Sequence, residues 1–423
     1  MMLILLFAIV GILILSFFAP VSEFTQLIYI ALLFFLYCAI IIRRYSKASV
    51  IIISALVLRI AVMLIDYYDI FYIPFAGIDA IRFDNWAMIN AENGNSELKL
   101  TNYTTILTFI YTLLGHSKLI AQFLNVILGT GILLILYDIF QETGEEKNRK
   151  KALLITAFFP TLVIFSAVLL REVWCQFFIT LSLLYFLRWM RSDKIPMFIY
   201  SVLSVLLAAW MHSGCLFVAI GYFVAIAFYQ PRKNVNKFSF GNVFLFSIII
   251  LGMLFILSST DMFTDKLDKF DNDTFQSEGL YTKEFSAGSA YLQWINPNNP
   301  IQLLLFAPLK MIYFMFSTFP WDWRKLFDII SFVLDGFFYF LFLCVTFRRY
   351  RMILDILVKN RIKYIFISLL FVWFVFSYGT SNSGTAIRHR AKLYPLIITI
   401  FIFSNHKNKN EKSLILDVNN QKQ

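Results

Sequence analysis

The feature that most constrains this chain is a succession of apolar stretches, each about as long as the roughly 19-residue window used to find membrane helices, separated by short loops rich in Lys and Arg. The stretches lie near 2–20, 26–42, 49–66, 118–140, 152–170, 173–190, 195–211, 215–229, 240–258, 326–347, 363–379 and 387–404. Read as spans, they predict an all-α polytopic membrane protein of about twelve transmembrane helices. Composition agrees: 59% of the 423 residues are hydrophobic, 18% aromatic and only 15% charged, with a mean hydropathy of +0.72. A soluble domain of this size does not carry such values.

The basic loops set an orientation. Arg43-Arg44 with Lys47, Lys147 to Lys151, Arg188 to Lys194, Arg232 to Lys237, Arg348 to Lys363 and Lys407 to Lys412 all fall on one face of this map. The positive-inside rule makes that face of an inner-membrane-type protein cytoplasmic, together with both termini. The net charge of +11 is thereby a topology signal, and nucleic acid is not an expected partner. The apolar start lacks a charged leader and reads as a retained first span. Residues 1–405 are read as a single integral membrane domain, and 406–423 as a polar, disordered cytoplasmic tail.

Two further apolar pieces, Thr104 to Gly115 and Ile301 to Phe319, are read as interfacial or re-entrant. The first is too short to cross, and the second contains Pro308 and Lys310. Such segments are tolerated at membrane depth only where protein or water covers the backbone. They border two acidic outer loops, 67–103 and 259–300. The Asp265, Asp268, Asp271 and Asp273 run of the second lacks the glycine and glutamate of a calcium loop, and the cysteines Cys38, Cys175, Cys215 and Cys344 show no metal-site spacing. Neither a metal nor a cofactor is expected. Trp321-Asp322-Trp323-Arg324 reads as an interfacial anchor.

Against this map one basic cluster is misplaced. Arg388-His389-Arg390 opens the last span on the outer side, where positive charge is normally sparse, after a Ser-Asn-Ser-Gly-Thr run read as a loop presenting backbone N–H groups. Arg171-Glu172 and His212-Ser213-Gly214 fall in outer turns at similar depth. Arg59 lies within the third span, and Asp66 and Asp79 follow it. Each has an ordinary explanation: a solvated Arg-Glu hairpin, an Arg59 ion pair, a His212 helix cap, an acidic surface turn around Asp79. Their coincidence on one face points instead to an anion site. Arginine suits phosphate oxygens through its planar, permanently charged fork, and a neighbouring carboxylate or imidazole suits removal of a hydroxyl proton. The diphosphate-binding candidates are Arg59, Arg171, Arg388 and Arg390; the candidates for the base are Asp79, His212, His389 and Asp66.

The order of the G-x-D-A-x-x-F stretch (Gly77 to Phe83), Arg171-Glu172, His212-Ser213 and G-T-A-I-R-H-R (Gly384 to Arg390) resembles bacterial O-antigen, capsule and exopolysaccharide repeat-unit polymerases, with the polytopic C-type glycosyltransferases behind them. The Arg-His-Arg cluster departs from the widely spaced arginine loops of many O-antigen polymerases. The resemblance implies transfer of a glycan from undecaprenyl diphosphate to a lipid-linked acceptor at the extracytoplasmic face. It implies a polyprenyl-linked oligosaccharide substrate and membrane lipids as partners, with a flippase and a chain-length regulator alongside. A C-type transferase that decorates a glycan, and a lipid-linked oligosaccharide flippase, remain the alternatives.

Overall fold

The computed structural model describes residues 2–73, 77–93, 101–143, 146–230, 235–241, 243–244, 247, 290–295, 300–349 and 360–403. Most of the expected span at 240–258, the acidic run of the second outer loop and the tail from 406 lie outside these residues. The described helices are α1 (Met2–Leu15), α2 (Glu23–Arg44), α3 (Ser49–Tyr67), α4 (Gly77–Asn93), α5 (Asn102–Leu114), α6 (Lys118–Thr143), α7 (Glu146–Phe158), α8 (Pro160–Phe165), α9 (Glu172–Ser192), α10 (Ile195–Met211) and α11 (Val218–Phe228). A short antiparallel ribbon pairs Tyr229–Gln230 with Val235–Asn236. Then come α12 (Pro300–Phe316); α13, which joins Leu326–Ser331, the wide π turn Phe332–Gly336 and Phe337–Arg349; α14 (Asn360–Tyr378); and α15 (Ser383–Phe403).

This is an all-α membrane protein. Among the described residues, five helices are long and apolar enough to cross a bilayer: Glu23–Arg44, Ser46–Tyr67, Lys118–Gln141, Glu172–Ser192 and Leu326–Arg348. Shorter apolar helices, such as Ile195–Met211 and Ile362–Tyr378, pack among them. Of these five, α6 and α9 are the most enclosed, with 94% and 72% of their apolar windows buried inside the protein. With α15, in which every residue from Arg390 to Phe403 is buried, they form the interior of the bundle. Local chemistry marks the helix ends: Ser22 accepts the Thr25 N–H ahead of α2, whose first turn carries Glu23 and whose last carries Arg43 and Arg44, complementing the helix dipole.

Different side-chain contacts mark the two ends of the bundle. At one end, Arg44 covers Tyr45, Tyr45 meets Tyr137 edge-on, and Arg149 covers Tyr137; the start of α14 is tied to the ribbon by Lys363 and Tyr364, which both donate to Asn236 Oδ1. At the other end, the close of α3 meets the start of α6 through Asp66 and Lys118. There α4 and α5 pack against each other, and the starts of α9 and α15 and the ends of α10 and α14 converge.

The expected span at 152–170 is a broken helix. Pro160 has no N–H to offer Thr156 O, and its ring opposes helix at the preceding turn. α7 therefore stops at Phe158 and α8 restarts at Pro160. The freed carbonyls are taken by Arg59, Nη1 donating to Ala157 O at 2.9 Å and Nη2 to Thr156 O at 3.3 Å, while Nη1 also donates back to Ala55 O of its own helix at 3.1 Å. Gly129 of α6 lets this break pack closely, since a Cβ there would lie 2.3 Å from Ser166 Cβ.

α12 enters beside Tyr378, whose hydroxyl donates to Leu303 O. Farther along it, Trp373 donates to Met311 O at 2.8 Å, and Tyr313 packs on Tyr291, which donates to Thr380 O. Both its start and its later turns thus contact the same end of α14, and Lys310 is buried within it.

Candidate functional site

The site is assembled where α4, α9, α10, α14 and α15 meet. Arg171 is the N-cap of α9 and Glu172 its first residue. That placement points the glutamate inward, where it is 1% exposed. Arg388, one turn into α15, donates to Glu172 Oε1 from Nε at 3.1 Å and from Nη2 at 2.9 Å. Its remaining nitrogen, Nη1, donates to Asp79 Oδ2 in the first turn of α4. Arg82 approaches the other Asp79 oxygen at 3.7 Å.

Lys392 lies one turn beyond Arg388 on the same face of α15. Its Nζ is 3.5 Å from Glu172 Oε1 and stands 5.6 Å from the centre of the Phe376 ring. Phe376 also packs on His212 and His389, whose own rings are 4.9 Å apart. His389 Nδ1 is 3.0 Å from Thr380 Oγ1. A buried charged group needs a partner for each polar atom, and here several make no hydrogen bond to protein: Arg171 Nε, Glu172 Oε2 and Lys392 Nζ. The cluster therefore holds unspent donors and an unspent acceptor beside a guanidinium that is 16% exposed. Arginines and lysine in this number, against two carboxylates, can bind an anion; the carboxylates and imidazoles can hold a proton.

Of the residues singled out from sequence, Arg171, Arg388, His212, His389 and Asp79 come together. Three others do not. Arg59 pairs with carbonyls at the α7 break, not with a carboxylate. Arg390, on the opposite face of α15 from its neighbours, forms a fully buried ion pair with Asp335. It also donates to Phe314 O and Met315 O at 3.2 and 2.9 Å, capping the last turn of α12, while Thr161 donates to Asp335 at 3.0 Å. Asp66 is held by Lys118 at 3.4 Å and accepts from Gln122 at 2.6 Å. The run before Arg388 is also not an open loop: α15 already begins at Ser383, and Asn382 Oδ1 takes the Thr385 N–H at 2.8 Å.

Lys392 was not among the sequence candidates, although its spacing of four from Arg388 puts both on one helix face. Glu172 was noted only as the partner of Arg171 in a turn, and it proves to be the hub. A second polar group lies farther along α4, where Asp84 Oδ1 receives Tyr111 OH at 2.6 Å and meets His116 Nε2 at 3.0 Å. The Asp84 hydrogen bond raises the His116 pKa above its ordinary value, against the opposing effect of burial. Burial pushes Asp84 up, but the bonds from His116 and Tyr111 outweigh it and leave its pKa lowered.

No protein-family model matches the chain, and no curated protein or solved structure does either.

Proposed function

We propose that this protein is a membrane glycosyltransferase of surface-polysaccharide assembly, a repeat-unit polymerase that moves a glycan from undecaprenyl diphosphate to a lipid-linked acceptor. The observation that carries the reading is Arg388 suspended between Glu172 and Asp79, with Arg171, Arg82 and Lys392 around it. The positive-inside rule puts the end with Arg43, Arg44, Arg188, Arg191 and Arg348 in the cytoplasm of a bacterial plasma membrane. The Arg388 cluster then faces outward. α12 reads as re-entrant from that side, since its start and later turns contact the outer end of α14, and the packed pair α4 and α5 reads as an interfacial cover.

Glu172 is the permanent partner of Arg388: two donors meet one of its oxygens, and burial makes the pair costly to separate. Asp79 is 37% exposed and is the replaceable partner. A donor diphosphate that engages Nη1 of Arg388 displaces Asp79, and the freed carboxylate takes the proton of the acceptor hydroxyl. The acceptor oxygen bonds to the anomeric carbon as the bond from that carbon to the phosphate oxygen breaks. The electron pair leaves with the diphosphate, whose growing charge Arg388 and Arg171 offset. His389, fixed by Thr380, is the other base within the cluster.

Replacing Arg388 or Arg171 by Ala tests this in cells. Long chains are expected to disappear from the surface while single repeat units still arrive there. A normal chain-length ladder in both variants contradicts the proposal. Loss of a side-branch sugar with unchanged chain length would instead identify a decorating transferase.

A further inference from the structure

Beyond Asp79, α4 runs past the Asp84–His116 pair to a pocket of about 360 Å³ between α4, α5 and the turn after α1. Its lining is mixed: Pro20, Met88 and Ala91 are apolar, and Glu92, Thr112 and His116 are polar. Two of the lining residues are fixed in place, because Asp84 holds both His116 and Tyr111. Gly115 closes α5 at φ +76°, where a Cβ would meet Pro20 Cβ at 3.1 Å. Only glycine adopts that turn without strain, and the turn sets His116 at the rim. Along the α4 axis, Glu92 stands about 20 Å from Asp79 at 1.5 Å per residue.

We propose that this pocket binds a sugar ring of the lipid-linked acceptor, several rings away from the bond being formed; the inference rests on the glycosyl-transfer reading. A sugar has an apolar C–H face and a rim of hydroxyls, and the lining offers groups for both. Glu92 accepts hydroxyl hydrogen bonds, strong ones because the acceptor is charged. A phospholipid phosphate is the wrong ligand, since it would meet the Glu92 carboxylate in the lining, where His116 is already engaged by Asp84. The volume lies in the range of small-ligand sites, and an acceptor held here is positioned in advance of transfer.

The test uses the full chain in nanodiscs and saturation-transfer NMR with the methyl glycosides of glucose, galactose and N-acetylglucosamine, and with glycerophosphocholine as a lipid-headgroup probe. At least one glycoside is expected to receive saturation from the unaltered protein. Thr112→Trp, which fills the pocket from an exposed position, should abolish the signal, and Glu92→Ala should weaken binding about tenfold. Arg388→Ala should leave glycoside binding intact, so loss of polymer in that variant reports on the transfer reading alone. Absence of any glycoside signal, a signal that survives Thr112→Trp, or a Thr112→Trp-sensitive signal from glycerophosphocholine only would each overturn the proposal.

Discussion

Arg388 and Glu172 lie 216 positions apart in the chain, yet two nitrogens of the arginine converge on one oxygen of the glutamate at 3.1 and 2.9 Å. The contact ties the start of α9 to the start of α15. It also fixes the orientation of the guanidinium, so that the remaining nitrogen points at Asp79. Lys392 leans on the same carboxylate. Glu172→Gln would leave Arg388 and Lys392 with no buried counter-charge. Breaking a buried pair from one side costs about 3–5 kcal/mol. A lowered Tm in detergent is expected, together with loss of long chains; an unchanged Tm would mean that the pair contributes nothing to the fold.

Arg59 makes a different kind of contact, and its loss should look different. Arg59→Met leaves carbonyls at the α7 break without donors, at about 1–3 kcal/mol for each buried group left unpaired. Thermal unfolding should show destabilisation. Pro160→Ala restores an N–H for Thr156 O and should recover part of the loss in the Arg59→Met background. If the two substitutions were simply additive, the capping role of Arg59 would be wrong.

Arg390 and Asp335 are expected to behave as a structural pair. Arg390→Met strands a buried carboxylate and should cost about 3–5 kcal/mol, whereas Arg390→Met with Asp335→Asn should be nearer the unaltered protein. Chain length, compared at equal protein level, should be normal in the double variant. Polymer lost there at full abundance would return Arg390 to the transfer site.

The Asp84–His116 contact makes stability depend on pH. The His116 pKa is raised above 6.5 in the folded protein, so its contribution is complete below the unfolded value and fades as pH climbs through the folded one. The Asp84 pKa is lowered below 3.8, so its contribution is complete above the unfolded value and fades as pH falls through the folded one. Stability from this pair is therefore greatest between the two ordinary values, with Glu92 and Lys118 as the other charges acting on the pair. Tm followed against pH should show an alkaline decline that His116→Ala removes. An identical profile in that variant would contradict the assignment.

The sequence reveals the site unevenly, and the reasons are physical. Arg388 stands out because topology makes positive charge costly to explain on its side of the map, and Asp79, Arg171 and His212 follow from sharing that side. Arg59 and Arg390 carry the same charge, but a guanidinium answers equally to a phosphate, a carboxylate or a row of carbonyls, and sequence does not choose between them. Pro160 offered the missing clue for Arg59, since a proline inside an apolar run frees a carbonyl four residues earlier. Hydropathy marks apolar runs without registering hydrogen bonds, so 152–170 reads as one helix and folds as two pieces. Lys392 was legible from its spacing to Arg388. Glu172 was not, because its role depends on a helix more than two hundred residues away.

The most direct measurement of the account is polymerisation by the purified full chain in lipid vesicles, supplied with undecaprenyl diphosphate-linked repeat units and read as a ladder on a gel. The unaltered protein is expected to build long chains and release undecaprenyl diphosphate. Arg388→Lys, which keeps the charge and loses the fork, should slow this at least about tenfold, and Arg388→Ala should abolish it. Equal ladders from all three, or no ladder from the unaltered protein with the lipid-linked sugar moved across the membrane instead, would contradict it.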